Sequence, residues 1–369
     1  MNRKTWRLGF MAILLGAVLG IPALTQAAAP ITKATAKKAG FEQLWQLPVG
    51  IGARSHDSVA NMWHLGNNLY ILTRHGYMIS IRATAGIIRW TIKLPGIAAS
   101  ISAPEAFADH QFMILVSGNM LIIDARNGTI VHKTSLQFAP GTNPILHDDH
   151  IFIGSLHDDM FALSTNWPPR QLWFQLKRGD SFISDPVVND GHVLFGSHNG
   201  IIFSRDILNG ADGWHRHVGG PLLASPAAAN GVAYFPCMDG NVYAVNVRTG
   251  ISPWITRLPG YLNFTPVIVD NHLLVPVGAV GLFSLSMKTG LQQWGPIRHG
   301  FEIVGRKGGE IYIATTHGKI DVVSLTTGRM LTSMAYDQPS IFLRNSKTPL
   351  LFIASVNGEV EALQPRRRQ

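Results

Sequence analysis

Histidine is the residue type in this chain most suited to metal chemistry, and the sequence contains fifteen histidines. His215 and His217 alternate along one predicted strand, while His147, His150 and His157 lie close together in the chain. A zinc site in a protein is built from cysteine, histidine and carboxylate ligands at characteristic spacings. No carboxylate or cysteine joins these histidines at ligand spacing. We therefore predict surface and turn histidines, and no metal site.

Motifs for covalent or acid–base catalysis are also missing from the sequence. There is no Gly-x-Ser-x-Gly elbow, no His-Glu-x-x-His, no Cys-x-x-Cys and no phosphate-binding loop. The single cysteine, Cys237, excludes an internal disulfide, and we expect it to be a small buried apolar residue at the end of a strand. No catalytic residue is predicted.

A series of X-Pro pairs supplies the candidate binding residues. The pairs are Ala103-Pro104, Asn143-Pro144, Asp185-Pro186, Ser225-Pro226 and Thr265-Pro266, and they recur every 40 to 42 residues. Proline fits the first residue of a strand, where its missing N–H costs nothing. If the strands are innermost in a ring, four polar side chains line one mouth of the channel: Asn143, Asp185, Ser225 and Thr265. Either these residues only begin the strands, or they form a docking or ligand-binding rim.

The elements that would position these residues follow a repeat of about 40 residues. Its most regular position recurs eight times, as Gly76, Gly118, Asp158, Gly200, Gly240, Val280, Gly318 and Gly358. Ten residues later most copies have a second glycine: Gly86, Gly128, Gly210, Gly250, Gly290 and Gly328. Four residues after that glycine stands Trp90, Trp214, Trp254 or Trp294, replaced by His132 or Thr332 in two copies; Trp173 follows one extra residue. A repeat of this length indicates a solenoid or a ring of modules.

Each copy contains four strand-sized apolar runs separated by turns. In residues 225–258 the runs are 226–229, 232–235, 242–247 and 253–258, and the turns include Asn230-Gly231 and Asp239-Gly240. Such pairs between apolar runs are strong hairpin signals because glycine accepts a positive φ. The sequence therefore predicts an all-β fold, an eight-bladed β-propeller of four-stranded antiparallel blades.

The two ends of the chain complement each other. The eighth copy ends at Leu363, after its third strand, and lacks a tryptophan of its own. Residues 41–48, which contain Trp45, form an unassigned strand. We predict that this N-terminal strand completes the last blade and closes the ring, which removes the open sheet edges.

The pattern Asp239-Gly240-x-x-Tyr243-Ala244 followed by Gly250-x-x-x-Trp254 resembles the pyrroloquinoline-quinone-type propeller repeat. This repeat occurs in quinoprotein dehydrogenases and in the outer-membrane assembly lipoprotein of the β-barrel insertion machinery. The resemblance extends over residues 41–365. It implies that the tryptophans fill the seams between blades and are structural: Trp45, Trp90, Trp173, Trp214, Trp254 and Trp294.

The resemblance implies two possible functions. A quinoprotein oxidoreductase would hold pyrroloquinoline quinone under adjacent cysteines, with an acidic residue near a bound calcium. This chain has no paired cysteines and short loops between blades, and Asp185 is the acidic residue expected near the axis. We therefore favour a non-catalytic scaffold without a cofactor, which binds an envelope protein partner in outer-membrane protein assembly or in another envelope complex. We expect a monomeric propeller that binds no nucleic acid.

The sequence gives less support for assigning to this chain the partner of the lipidated family member. In that protein, charged residues just before the X-Pro pairs help to engage the barrel-insertion subunit. The corresponding positions here are Leu222-Leu223 and Leu262-Asn263, which could instead form an apolar lip.

The N-terminus predicts export. Arg3, Lys4 and Arg7 precede an apolar run that is too short to span a bilayer, and small residues follow up to a cleavage site near Ala27. A signal peptide on this type of propeller indicates a Gram-negative periplasm. No cysteine follows the apolar run, so we do not expect a lipoprotein.

The predicted organisation is a signal peptide at 1–27, a flexible leader at 28–40, the propeller at 41–365 and a basic tail at 366–369. The whole chain carries a formal charge of +9, to which the tail contributes three arginines.

Overall fold

The structure is a computed structural model that describes residues 30–50, 57–96, 101–157, 159–176, 184–336, 340–344 and 347–366. The predicted signal peptide, Asp158 of the repeat and the last three residues of the predicted tail lie outside this part of the chain. In the described part no helix is long and apolar enough to cross a membrane.

The described chain consists of one short helix, α1 (Lys33–Lys38), and thirty-two strands in eight four-stranded antiparallel sheets. The first four sheets, numbered as blades 1 to 4, each contain consecutive strands: β2 (Val59–Leu65), β3 (Asn68–Thr73), β4 (Tyr77–Arg82) and β5 (Ile87–Lys93); β6 (Glu105–Ala108), β7 (Gln111–Val116), β8 (Asn119–Asp124) and β9 (Ile130–Ser135); β10 (Ile145–His147), β11 (His150–Gly154), β12 (Asp159–Ser164) and β13 (Gln171–Leu176); β14 (Val187–Asn189), β15 (His192–Gly196), β16 (Ile201–Asp206) and β17 (Asp212–His217).

Blades 5 to 7 follow the same order, and blade 8 takes its outer strand from the N-terminus. Their strands are β18 (Ala227–Ala229), β19 (Val232–Pro236), β20 (Asn241–Asn246) and β21 (Trp254–Arg257); β22 (Val267–Val269), β23 (His272–Val277), β24 (Gly281–Ser286) and β25 (Gln292–Arg298); β26 (Gly300–Lys307), β27 (Glu310–Thr315), β28 (Lys319–Ser324) and β29 (Met330–Ala335); β30 (Ser340–Phe342), β31 (Leu351–Ser355), β32 (Glu359–Pro365) and β1 (Phe41–Pro48).

The turns predicted from the sequence connect these strands. In blade 5, Asn230 and Gly231 join β18 to β19 with φ values of 53° and 74°. Positive φ at both central residues is the geometry of a two-residue type I′ hairpin, whose twist matches that of the paired strands. The predicted eight-bladed propeller is confirmed.

Pairing of β1 with β32 closes the ring, as predicted. Trp45 lies opposite Ala362 and Gln43 lies opposite Leu363 in an antiparallel register with one irregularity between them. The last blade therefore contains strands from both ends of the described chain.

The apolar core is divided among the eight seams between neighbouring blades. Eight clusters of buried side chains occur, and each draws on two adjacent sheets. The cluster between blades 8 and 1 joins Phe352 to Ile71, and the one between blades 4 and 5 joins Leu194 to Phe235. Seam burial is therefore continuous around the closed ring and stabilises it through the apolar area removed from water.

The N-terminal leader differs from our expectation. We predicted that residues 28–40 are flexible, but residues 30–40 include α1 and lie against the ring. The Thr32 hydroxyl accepts the Thr35 N–H at 3.2 Å at the start of the helix. Ile31 and Ala36, each 1% exposed, belong to the cluster between blades 7 and 8. Burial of these two side chains offsets the entropy lost when the segment is ordered.

Candidate functional site

The X-Pro pairs lie at one end of the channel, on a face that we call the rim face. Because successive strands of a blade are antiparallel, the segment before each first strand lies on the same face as the turn between the second and third strands. The backbone hydrogen bond from Met238 to Pro221 joins two such segments of blade 5. First strands of neighbouring blades, such as β14 and β18, contact each other around the axis. These strands are therefore innermost, and the rim residues precede them.

The predicted rim residues form a ladder of hydrogen bonds from blade to blade. The Ala103 N–H donates to Asn143 Oδ1 at 3.0 Å, and the Asn143 N–H donates to Asp185 Oδ1 at 2.8 Å. The Asn143 amide also donates to Asp185 Oδ2 at 2.9 Å, and the Asp185 N–H donates to Ser225 Oγ at 3.2 Å. Within the described chain, Thr265 makes no equivalent bond. The structure thus brings Asn143, Asp185 and Ser225 into one network, which holds the mouth of the channel in a fixed shape.

A second set of hydrogen bonds supports this rim, and our sequence analysis missed it. Buried hydroxyl groups directly before three of the X-Pro pairs accept backbone N–H groups from the second strand of their own blade. Ser102 accepts from Leu115 at 2.9 Å, Thr142 from Gly154 at 2.8 Å, and Ser184 from Gly196 at 2.7 Å. The signal was present as Ser/Thr-x-Pro at 102, 142 and 184, but Ala224 and Phe264 break it in the next two copies.

Of the leucines that suggested an apolar lip on the rim face, Leu223 is half-buried and the other two do not contribute to it. Leu222 and Leu262 are both 0% exposed and belong to the seam clusters beside blade 5. The large apolar side chains exposed on this face are instead Tyr77, Leu156 and Tyr261, with Tyr261 69% exposed. Sequence periodicity could not separate the buried from the exposed residues because all of them lie in loops or, for Tyr77, at the first position of a strand.

The six tryptophans lie at the seams with one repeated geometry. Each indole N–H donates to a backbone carbonyl of the next blade at 2.6–3.0 Å: Trp45 to Ala83, Trp90 to Ala125, Trp173 to Ile207, Trp214 to Val247, Trp254 to Met287 and Trp294 to Leu325.

The glycine of the next blade's turn makes this geometry possible. A Cβ at Gly250 would lie 2.6 Å from the Trp214 ring, and its φ of +70° also favours glycine. Tryptophan and glycine therefore form one structural unit that joins neighbouring blades.

The histidines singled out from the sequence and the single cysteine have ordinary structural partners. The rings of His215 and His217 lie 6.1 Å apart, and His150 Nδ1 lies 2.6 Å from Asp149. No group of three or more potential metal ligands occurs among the residues described. The Cys237 Sγ donates to the Gly220 carbonyl at 3.1 Å, and burial raises the pKa of this thiol to about 12. A thiol of this kind is not a nucleophile at neutral pH.

Among the residues that the structure describes, no set suited to hold pyrroloquinoline quinone comes together at the axis. Asp185, the acidic candidate, has both carboxylate oxygens hydrogen-bonded to Asn143. Cys237 is buried and has no second cysteine in the chain to pair with. The described residues therefore do not match the site that the quinoprotein resemblance implies.

The sequence analysis also missed two buried carboxylates in blade 8, Glu359 and Glu361. Glu361 is 0% exposed; its Oε1 accepts the Ile31 N–H at 2.7 Å, and its Oε2 accepts the Gln43 amide at 3.0 Å. Burial raises the pKa of Glu361 to about 7, and the nearby Glu359 acts in the same direction, against the two hydrogen-bond donors. A glutamate between apolar residues of a strand gives no sequence signal that distinguishes it from a solvent-facing one.

Another carboxylate, in the innermost strand of blade 7, has a cationic partner. Glu302 of β26 lies 3.1 Å from the Arg344 Nε, across the boundary between blades 7 and 8. Burial raises the pKa of Glu302, and Arg344 opposes this rise.

Eight four-stranded blades, tryptophan-filled seams and closure by the N-terminal strand define an eight-bladed β-propeller built from pyrroloquinoline-quinone-type repeats. Residues 117–333 match the family of the outer membrane protein assembly factor BamB, and the chain belongs to this family. No curated protein in the comparison matches the chain.

Several solved structures share the fold. The crystal structure of BamB from Moraxella catarrhalis is 16% identical, with a TM-score of 0.68, and the match covers 89% of this chain and 99% of that one. The computationally designed Ika8 protein is 13% identical with a TM-score of 0.69, covering 87% and 99%. Saccharomyces cerevisiae Sqt1 is 9% identical with a TM-score of 0.70, covering 88% and 99%. At these identities the likeness concerns the fold alone.

Proposed function

We propose that this protein is a periplasmic, non-catalytic scaffold that binds a protein partner during outer membrane protein assembly. The observation that carries the proposal is membership of the BamB family over residues 117–333. The rim ladder supports it, because a surface that is already ordered loses little conformational entropy when a partner docks.

The rim face is the proposed docking surface. Tyr77, Leu156 and Tyr261 are exposed there around the polar residues of the ladder, and Asn263 adds an exposed amide beside Tyr261. Tyrosine is enriched at interface hot spots because it combines a large apolar ring with a hydroxyl group. Buried apolar anchors surrounded by polar groups are the usual anatomy of a protein interface.

The test is site-specific crosslinking in intact cell envelopes. A photoreactive amino acid replaces Tyr261, and a matched control replaces Leu291, which is 70% exposed but lies on the opposite face. We expect an adduct with a component of outer membrane protein assembly from position 261 and not from position 291. Equal adducts at both positions, or an adduct from position 291 alone, would contradict docking at the rim face.

Periplasmic location and removal of the signal peptide are part of the same proposal. They rest on the basic and apolar character of residues 3–19 and on the small residues that follow. N-terminal sequencing of the protein from periplasmic extract should give a mature chain that begins near residue 28. A protein retained in the cytoplasm with its first residues intact would overturn this assignment.

The non-catalytic assignment has its own test. Titration of the purified protein with pyrroloquinoline quinone and calcium, followed by absorbance, should show no stoichiometric binding. Saturable binding together with dye-linked alcohol or sugar oxidation would replace the scaffold function with an oxidoreductase function.

A further inference from the structure

A cavity of about 510 Å³ opens between blades 1 and 2 on the face opposite the rim. Tyr70 and Phe112 form its apolar floor, with ring centroids 4.8 Å apart. Arg89, His110 and Arg126 line its exposed side. Its size falls within the range of small-molecule sites, and an apolar wall with a few polar groups is their usual composition.

The cavity exists because one seam residue is small. The carbonyl that accepts the tryptophan N–H belongs to Ala125 at this seam. At four other seams the equivalent residue has a larger side chain: Ile207, Val247, Met287 and Leu325. Ala83 is the second small residue at this position, but it is only 1% exposed, so its seam is filled by other groups. Ala125, by contrast, lines the cavity between blades 1 and 2.

A single arginine gives the cavity its charge. Arg89 Nη1 donates to the Oδ1 of Asn68 at 2.9 Å, and the Asn68 amide donates to the Tyr70 hydroxyl at 3.1 Å. Asn68 is only 6% exposed, so a buried group orients the guanidinium at the cavity. No ion pair of Arg89 occurs in the described part of the chain. Four of its five N–H donors remain for a ligand or water.

The other charges at the cavity are already balanced. The Arg126 Nη2 lies 2.5 Å from Asp124 Oδ2, and His110 lies 3.6 Å from the exposed Asp109. The position of Arg89, directly before the outer-strand tryptophan, carries no charge in the other tryptophan-containing blades: Leu44, Leu172, Gly213, Pro253 and Gln293. The unfilled seam and the unpaired guanidinium therefore occur together in one place.

We propose that this cavity binds a small organic carboxylate with a flat apolar body. The carboxylate would accept two N–H groups of Arg89, the geometry that a guanidinium supplies best. The apolar body would lie against Tyr70 and Phe112 in the space left by Ala125. The site is separate from the rim face, and the inference does not depend on the scaffold function.

The probe is 3-phenylpropionate, and its neutral amide is the matched control ligand, both measured by calorimetry and saturation-transfer NMR. A ligand of about eleven non-hydrogen atoms should bind with a millimolar dissociation constant. The carboxylate should bind at least about tenfold more tightly than the amide, because a hydrogen bond to a charged group is stronger than one between neutral groups. Equal binding of the two ligands, or no saturable binding of the carboxylate, would overturn the proposal.

Three variants locate the site. Arg89→Gln should reduce carboxylate binding to the level of the amide, while Arg257→Gln removes an exposed charge on blade 5 and should change nothing. Ala125→Met should abolish binding of both ligands, and methionine already occupies this position in blade 6. Circular dichroism checks folding; if Ala125→Met does not fold, the contrast between the two arginine variants decides. Carboxylate binding that survives Arg89→Gln would show that the anion lies elsewhere.

Discussion

The carboxylate of Glu361 accepts the backbone N–H of Ile31 at 2.7 Å inside the boundary between blades 7 and 8. One residue precedes α1 and the other lies in the strand that pairs with β1. The bond therefore fixes the N-terminal segment to the blade that closes the ring. Because the carboxylate is fully buried, its protonation is coupled to the stability of this part of the fold.

Stability should fall as the pH rises from about 4.5 to about 7, where Glu361 is ionised in the unfolded chain but still protonated in the folded one. The pKa of Glu361 rises from 4.5 to about 7 on folding, so the folded state holds its proton more tightly than the unfolded state. The associated stability is fully present below about pH 4.5 and is lost by about pH 7. Glu361→Gln should remove this dependence and raise the free energy of unfolding at pH 8 by up to about 3 kcal/mol.

Urea unfolding at pH 5 and pH 8 measures this effect. Glu42→Gln on the exposed side of β1 is the control and should leave the pH profile of the wild type unchanged. An unaltered profile in Glu361→Gln would show that another group is responsible.

Gly250→Ala should destabilise the seam between blades 4 and 5. The added Cβ would lie 2.6 Å from the Trp214 ring at a φ of +70°. Gly191→Ala is the matched control, because Gly191 has a φ of +76° and no atom within 4 Å of the added Cβ. The control should lose about 1 kcal/mol from backbone strain, and Gly250→Ala about 1–3 kcal/mol more from overpacking. Chemical denaturation measures both values. Equal losses of unfolding free energy in the two variants would mean that the Trp214 side chain moves aside without cost.

Asp185→Ala should weaken the rim ladder. It removes the acceptor for the Asn143 N–H and for the Asn143 side-chain amide, and should cost about 1–3 kcal/mol. Thr265→Ala, at a rim position without an equivalent bond, should change the free energy of unfolding by less than about 0.5 kcal/mol. Similar values for both variants in urea titrations would argue against a structural role for the ladder.

Deletion of residues 30–48 should produce self-association. The deletion removes β1 and exposes the edge of β32, whose unpaired backbone groups can pair with another chain. We expect oligomers by light scattering and a lower unfolding midpoint. The variant Trp45→Phe keeps β1 and should have the same molar mass by light scattering as the unaltered protein. A deletion variant that also keeps this molar mass would show that closure is dispensable.

Much of the fold could be predicted from residue spacing alone. Trp45 and Leu363 revealed the closure because one end lacked a strand and the other end supplied one with the tryptophan that the repeat requires. Turns such as Asn230-Gly231 set the strand boundaries to within one or two residues. These features are encoded locally and repeated, which makes them visible in one sequence.

Other features depend on contacts between distant residues and could not be predicted. Helix α1 has six residues and lacks an extended apolar face. It is ordered because Ile31 and Ala36 pack into the apolar cluster between blades 7 and 8. Leu222 was expected at the surface because it lies in a loop, yet it fills the seam beside blade 5. The cavity at Ala125 arises because this position holds a smaller residue than its equivalents in most other blades. The space becomes evident only when the neighbouring blade is packed against it.

The pairing of β1 with β32 also sets the order of events during synthesis. The ribosome makes β1 among the first strands of the ring and β32 last, so β1 has no partner of its own blade until nearly the whole chain exists. Throughout that interval an eight-residue edge strand is available for wrong pairing. A chaperone that binds extended segments near the N-terminus would therefore protect this protein most after the other blades have formed. At that stage β1 has not yet paired with β32.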